Sequence, residues 1–326
     1  MDNLTHSLVG LFLSRSGFRR FTPGAAAIMI LGANAPDFDI FTWLIDRQSW
    51  LHWHRHITHS FVAVPVMAIL SVAAVRFIGR IQIRWLPAFG MAVAAVLSHI
   101  ALDMTNIYGV RLFLPFSAQW FSWDLTPVVD IAIWGILLLG LAMAALAKLV
   151  GSEIGERPKP WRGTGAAITA LLLLTAYEGA RAWFHQKALT VLDGQQITEE
   201  TPRRIAAFPS GNPLVWTGIA ELRGSWAEIP IDLRESRLHF AELATLYKAE
   251  PVAAMEAARK QRDFQILAGF VQYPLWTVEP APDDSDAKQV TLLDLRFGQP
   301  VSPGFASARA IVDAMNHVKS TGFGGR

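Results

Sequence analysis

The apolar runs of this 326-residue chain lie almost wholly before Phe184, and that asymmetry limits the fold more than any other feature. Four of them, at 24–45, 57–79, 85–104 and 128–150, are each long enough for a bilayer span of roughly 20 residues. A fifth occupies 163–184. The segment 4–13 is apolar but too short to cross alone, so it reads as a half-span or interfacial helix. Only 17% of residues are charged, against about 25% in an ordinary soluble domain, so a membrane protein is expected. The opening "MDNLTHSLVG" has neither a basic region nor a small-residue cleavage site, and reads as mature sequence rather than a secretory signal.

After His185 the texture changes. Charges and prolines appear, and "LVWTGIAELRG", "FQILAGFVQYPLWTVEP" and "AKQVTLLDLRFG" carry the alternation of half-buried strands. "FAELATLYKAEPVAAMEAARK" reads as helical between them. The expected fold class is an N-terminal α-helical transmembrane bundle, residues 1–184, followed by a soluble α+β domain, residues 185–326.

Short cytoplasmic loops retain Lys and Arg. Arg15, Arg19 and Arg20 precede the first full run, and Arg76, Arg80 and Arg84 separate the second from the third. Lys148, Arg157, Lys159 and Arg162 separate the fourth from the fifth. These loops fall on one side of the membrane. The stretch "LHWHRHITHS", the loop 105–127 and the C-terminal domain are then expected on the periplasmic side of a bacterial inner membrane.

Ionisable groups inside spans cost at least about 2.5–3.5 kcal/mol near the centre on insertion scales, and are usually functional. "NAPDFD" puts Asn34, Asp37 and Asp39 in the outer half of the first run, where Pro36 breaks the helix. His59 opens the second run beside Thr58 and Ser60. "SHIALD" puts His99 and Asp103 at i and i+4, on one helix face. His6 joins them if the first short helix descends from the outer face. A single histidine at an interface is ordinarily just interfacial. The coincidence of so many of these groups on one side is what points to a site.

The chain has no cysteine, so disulfides, thiolate zinc sites and cysteine nucleophiles are excluded. Imidazoles and carboxylates without thiolate suit a divalent metal: zinc, or manganese or iron(II). Asp37 and Asp39 together could bridge two ions. The planar fork of Arg55, in "HRH", could hold an anionic oxygen such as a phosphate. A formal net charge of +2 does not suggest a nucleic-acid binder.

"LTHSLVG", "NAPDFD", "HRHITHS", "SHIALDMTNIYGVRLFLPFS" and "FSWDLTPVVD", in that order, resemble the YdjM-like membrane-bound metal-dependent hydrolases, described as LexA-regulated and inner-membrane-associated. The resemblance covers about the first 135 residues. It implies His6, Asp37, Asp39, His54, His59, His99 and Asp103 as metal-site residues. Arg55 would be the anion clamp, and Asp124 or an unligated Asp39 or Asp37 the general base. The implied reaction is hydrolysis by a metal-activated water. A site at the outer leaflet favours a phosphoester or ester of a lipid or lipid-linked substrate. The alternative is a non-enzymatic metal-binding membrane protein, a transporter or sensor. Transporters often show paired broken spans, and only the first run is visibly broken here.

Overall fold

In the computed structural model, residues 1–155, 163–194, 197, 200–235 and 237–324 are described. Arg157, Lys159 and Arg162 of the third basic loop lie outside them. The chain divides into two compact units, one of residues 1–39, 55–187 and 209–216, the other of residues 40–54, 188–208 and 217–326.

The first unit begins with α1 (Asn3–Arg15). Its N-cap, Asp2, accepts from the Leu4 and Thr5 amides at 3.0 Å, which occupies two of the donors that a helix start leaves unpaired. At 13 residues, about 20 Å, α1 is too short to span. Thr5, His6, Val9, Gly10 and Phe12 are buried against neighbouring helices. Gly10 is the contact point with α2 (Ala25–Asn34), since a β-carbon there would lie 2.5 Å from the Met29 carbonyl oxygen. Gly32 allows the equally close approach of α5 (Trp85–Thr105), where a β-carbon would meet that of Ala95 at 3.0 Å. Lipid tails are as apolar as leucine, so membrane helices gain more from backbones brought close by small residues than from bulk.

The five expected spans resolve differently. Two helices of the described residues are long and apolar enough to cross a membrane, α5 with 21 residues and α6 (Ile131–Glu153) with 23. At 1.5 Å per residue they measure about 32 and 35 Å, against a hydrocarbon core of about 30 Å. The first run gives only the ten residues of α2. Pro36 then diverts the chain into a 3-10 stretch, Pro36–Leu44. The second contains α4 (Val64–Ala73), which follows the seven-residue α3 (Arg47–Trp53) and passes into a π-turn, Ala74–Ile78. His59 therefore does not open a span; it sits in a 3-10 turn, Ile57–His59. The fifth becomes the 30-residue α7 (Thr164–Asp193), which contains Glu178 and Arg181 and is not among the sufficiently apolar helices.

Both observed basic loops of the first unit gather at one helix end. The Arg84 amide donates to Thr22 Oγ1 at 2.8 Å, and Gly24 packs on Val75 and Ile81. His99 and Asp103 lie 15 and 19 residues along α5 from Arg84, about 22 and 28 Å away.

The second unit carries two antiparallel sheets. In the first, β1 (Arg204–Pro209), β2 (Val215–Glu221), β3 (Ser225–Asp232) and β4 (Arg237–Leu238) are neighbours in that order, and β5 (Ala244–Tyr247) pairs with β3. The second is β6 (Pro274–Ala281), β7 (Asp284–Asp294), β8 (Ser307–Val312) and β9 (Val318–Phe323), in sequence order. The stretch read as one helix, 240–260, instead supplies β5, in register with Ser225–Glu228, and the short α8 (Ala253–Arg259). Pro251 stands between them and cannot continue a helix. Conversely, the first half of "FQILAGFVQYPLWTVEP" belongs to α9 (Arg262–Ala268), and only its second half enters β6.

Candidate metal centre

Four side chains of the first unit converge: Asp37 from the 3-10 stretch after α2, His59 from the 3-10 turn before α4, and His99 and Asp103 from α5. All four are buried, and one ligand atom from each lies within 4.8 Å of the others. His59 Nε2 is 3.4 Å from Asp37 Oδ1 and 3.3 Å from Asp103 Oδ2. His99 Nε2 is 3.6 Å from Asp37 Oδ1 and 3.4 Å from Asp103 Oδ2. The two Nε2 atoms are 3.1 Å apart. Four ligands at about 2.0–2.2 Å from a tetrahedral ion stand roughly 3.3–3.6 Å from one another. The five separations fall on or near that range.

The proton positions sharpen the case. His99 Nδ1 is 2.7 Å from the Ala33 carbonyl oxygen, which can only accept, so this nitrogen carries a hydrogen and Nε2 bears the lone pair when the ring is neutral. Thr58 Oγ1 donates to Asp39 Oδ2 at 3.0 Å, and so accepts from His59 Nδ1, also at 3.0 Å. His59 Nε2 is then the nitrogen left to face the carboxylates, and bears a lone pair when the ring is neutral. Two imidazole nitrogens and two carboxylate oxygens facing one another in a buried space need positive charge among them, which a proton on an imidazole or a bound metal ion would supply. Asp103 Oδ2, correspondingly, has no hydrogen-bond donor. The donor set fits a divalent metal, and each imidazole is oriented through its second nitrogen, as metal-bound histidines are.

His6 adjoins the four. Its ring stacks on His99, centroids 3.8 Å apart, and its Nε2 is 3.4 Å from Asp103 Oδ1. Both its ring nitrogens are buried without hydrogen-bond partners, which makes it a further available donor. Asp39 stands behind His59: its Oδ2 is 3.5 Å from His59 Nδ1 and accepts from the Arg55 amide at 2.9 Å. We expect Asp39→Asn to weaken metal binding by about 10–100-fold, the usual cost of losing a partner that orients a metal-bound histidine. Titration of the metal-free protein with zinc measures it, and unchanged affinity would remove Asp39 from this supporting role.

The other expected site residues are placed as follows. Arg55 is 2% exposed, and its guanidinium donates to Asp103 Oδ1 at 2.9 Å, Asn106 Oδ1 at 3.0 Å and the Gly109 carbonyl at 3.2 Å, while lying over the Tyr108 ring. Its two terminal nitrogens thus meet protein acceptors, while the buried Nε has none. The amino group of Met1 contacts the same Asp103 oxygen. His54 belongs to the second unit, at the end of α3, where it stacks on Trp50. Asp124, half-buried with φ of 53°, lies between Trp123 and Leu125, whose amides donate to the Met104 and Thr105 carbonyls. It is outside the four-residue set.

Sequence reading missed Asn106 and Tyr108, which hold Arg55 in place, and the Ala33 carbonyl. Asn106 was findable, three residues after Asp103 at the end of the same helix; a backbone carbonyl leaves no sequence signal.

Residues 1–188 match the model of the family described as "YdjM inner membrane protein". The chain is also similar to "Uncharacterized protein YfhP" of Bacillus subtilis (strain 168), 29% identical over 154 residues, which is 41% of this chain and 46% of that relative. The chain thus spans less than half the length of that relative. No solved structure matches. The family match covers more than half of the chain and the whole of the buried histidine–aspartate cluster: the protein is a membrane protein of the YdjM family.

Proposed function

We propose that the chain is a membrane-bound metal-dependent hydrolase acting on a phosphoester or ester of a lipid or lipid-linked substrate at the outer leaflet of the inner membrane. The observation that carries this reading is the pair of imidazoles facing two carboxylates at metal-ligand separations. Asp37, His59, His99 and Asp103 hold the ion, zinc or else manganese or iron, with His6 beside them. A divalent cation there supplies Lewis acidity and activates water for attack at neutral pH. Asp39 and Thr58 orient His59, and the Ala33 carbonyl orients His99. Arg55 is a positioning residue: it engages Asp103 Oδ1 and leaves Oδ2 facing the imidazoles. Asp37 and Asp39 are each 7% exposed, against 0% for His59, His99 and Asp103. Substrate therefore enters at their edge, and Asp39 takes the proton that water gives up.

The test is hydrolysis of a panel of phospholipids and polyprenyl phosphates in detergent, by wild type and Asp37→Asn at measured metal loading. Wild-type turnover that falls in the variant supports the reading. No turnover of any substrate at full loading shifts the weight to a metal-binding sensor or transporter. One observation favours that second reading: four protein donors complete a tetrahedral zinc, as in structural sites, whereas catalytic zinc keeps a position open.

The orientation rests on the basic loops and the candidate centre lying at opposite ends of α5. A reporter active only in the periplasm, fused to the C-terminal unit, is expected to be active. Activity of a cytoplasm-only reporter at that position would invert the assignment.

A further inference from the structure

A groove of about 470 Å³ runs along α2 beside the π-turn, lined by Ala27, Leu31, Ala74, Ile78, Gly79 and Phe38, among others. That volume lies within the range of small-ligand sites, roughly 300–1,000 Å³. It is about the volume of a single turn of helix with its side chains, so it admits a narrow chain and not a helix.

Three features say what the chain is. Every lining residue is apolar, so nothing in the groove would hold a charged head group or pair with a peptide backbone. Small residues, Ala27, Ala74 and Gly79, are part of its lining, and the π-turn, closed by the Gly79 amide on the Ala74 carbonyl at 3.0 Å, forms one side of it. π-turns of this kind are frequent at functional sites. Finally, the groove and the candidate centre share one stretch of backbone. Phe38, 48% exposed, lines it and stands in the chain between Asp37 and Asp39, the two carboxylates of the centre that retain some exposure. The other end lies at Ile78 and Gly79, beside the basic loop of Arg76, Arg80 and Arg84.

We propose that this groove seats one hydrocarbon tail of a lipid phosphoester while its head group reaches the Asp37–Asp39 edge of the centre. The head-group half rests on the hydrolase reading; the seating of the tail does not. Since a tail leaves lipid to enter the groove, hydrophobic transfer contributes little. The groove acts by alignment, holding the scissile bond where the centre can reach it.

The experiment uses the full chain in vesicles of phosphatidylethanolamine and a phosphatidylglycerol carrying a mid-chain diazirine. Photolysis should place adducts on the peptides of Ala27, Leu31 and Ala74. Ala74→Phe, which fills the groove, should reduce these about tenfold, with zinc content retained and adducts at Leu139, 68% exposed on α6, unchanged. Ala27→Leu is the second variant if the first binds no zinc. Groove adducts that persist in a folded, filled variant, or that fall only in step with those at Leu139, would overturn the proposal by showing ordinary lipid contact.

A parallel assay compares long-chain with six-carbon-chain phosphoesters. The filled variant should raise KM about tenfold for the former alone. Groove-specific adducts without hydrolysis would sink the hydrolase reading and leave the groove standing. Hydrolysis with equal KM values in both proteins and no groove adducts would do the reverse.

Discussion

Replacing His99 with alanine is expected to strip the protein of its metal. His99 supplies one of four converging ligand atoms and is itself held by the Ala33 carbonyl and stacked on His6. Loss of a supporting partner alone costs about 10–100-fold in affinity, and loss of a ligand should exceed that. Metal analysis of protein purified in zinc, followed by titration against a chelator, gives the number. His317→Ala is the control, because that side chain is 74% exposed in the second unit; it should retain full metal. His99→Ala protein that also retains full metal would show that the ion, if there is one, is bound elsewhere.

Arg55→Lys should lower both stability and metal affinity, and this separates a positioning residue from a substrate clamp. The buried guanidinium spans Asp103, Asn106 and Gly109 from one planar fork. A lysine keeps the charge but, as a compact ammonium, cannot reach these acceptors together. Removing one partner of a buried ion pair costs about 3–5 kcal/mol; with the charge retained, about 2 kcal/mol is expected from the unpaired acceptors. Asp103, held at Oδ1 by the Met1 amino group but no longer by the fixed guanidinium fork, should hold metal about 10-fold less tightly. Thermal unfolding in detergent and zinc titration check the two effects. A substrate clamp would instead lose turnover at unchanged stability and metal content, and an arginine that merely met lipid head groups would change nothing.

This centre was only half legible in the sequence. His99 and Asp103 were secure from sequence because i, i+4 on a helix is a local relation, and the helix forms from its own apolar face. Their observed separation of 3.4 Å follows from helix geometry. Asp37 and Asp39 alternate within three residues, and nothing local tells which of them faces the imidazoles. The 3-10 winding after Pro36 decides it, putting Asp37 in the set and Asp39 behind His59. The cluster "HWHRHITH" offered four histidines of equal appearance. Of these His59 reaches the centre from a 3-10 turn, while His54 ends a helix that belongs to the other unit.

What the sequence determined by itself was whatever depends on neighbours along the chain: the apolar runs, the helix-borne histidine–aspartate pair, the break at Pro36, the switch to strands after His185, and a set of candidate ligands without thiolates. Tertiary structure decided what depends on chain segments that meet only after folding. The first run gave only a ten-residue helix and the second a helix interrupted before Val64, because a hydropathy pattern cannot register where the backbone changes from α to 3-10 or π winding. Arg55 turned from an expected anion clamp to the anchor of Asp103 because residues 106–109 fold back over it at the end of α5, 51 and 54 residues away in the chain for Asn106 and Gly109. The tautomers of His59 and His99 depend on a threonine hydroxyl and a backbone carbonyl, and only the packing of α2 on α5 brings that carbonyl to the ring.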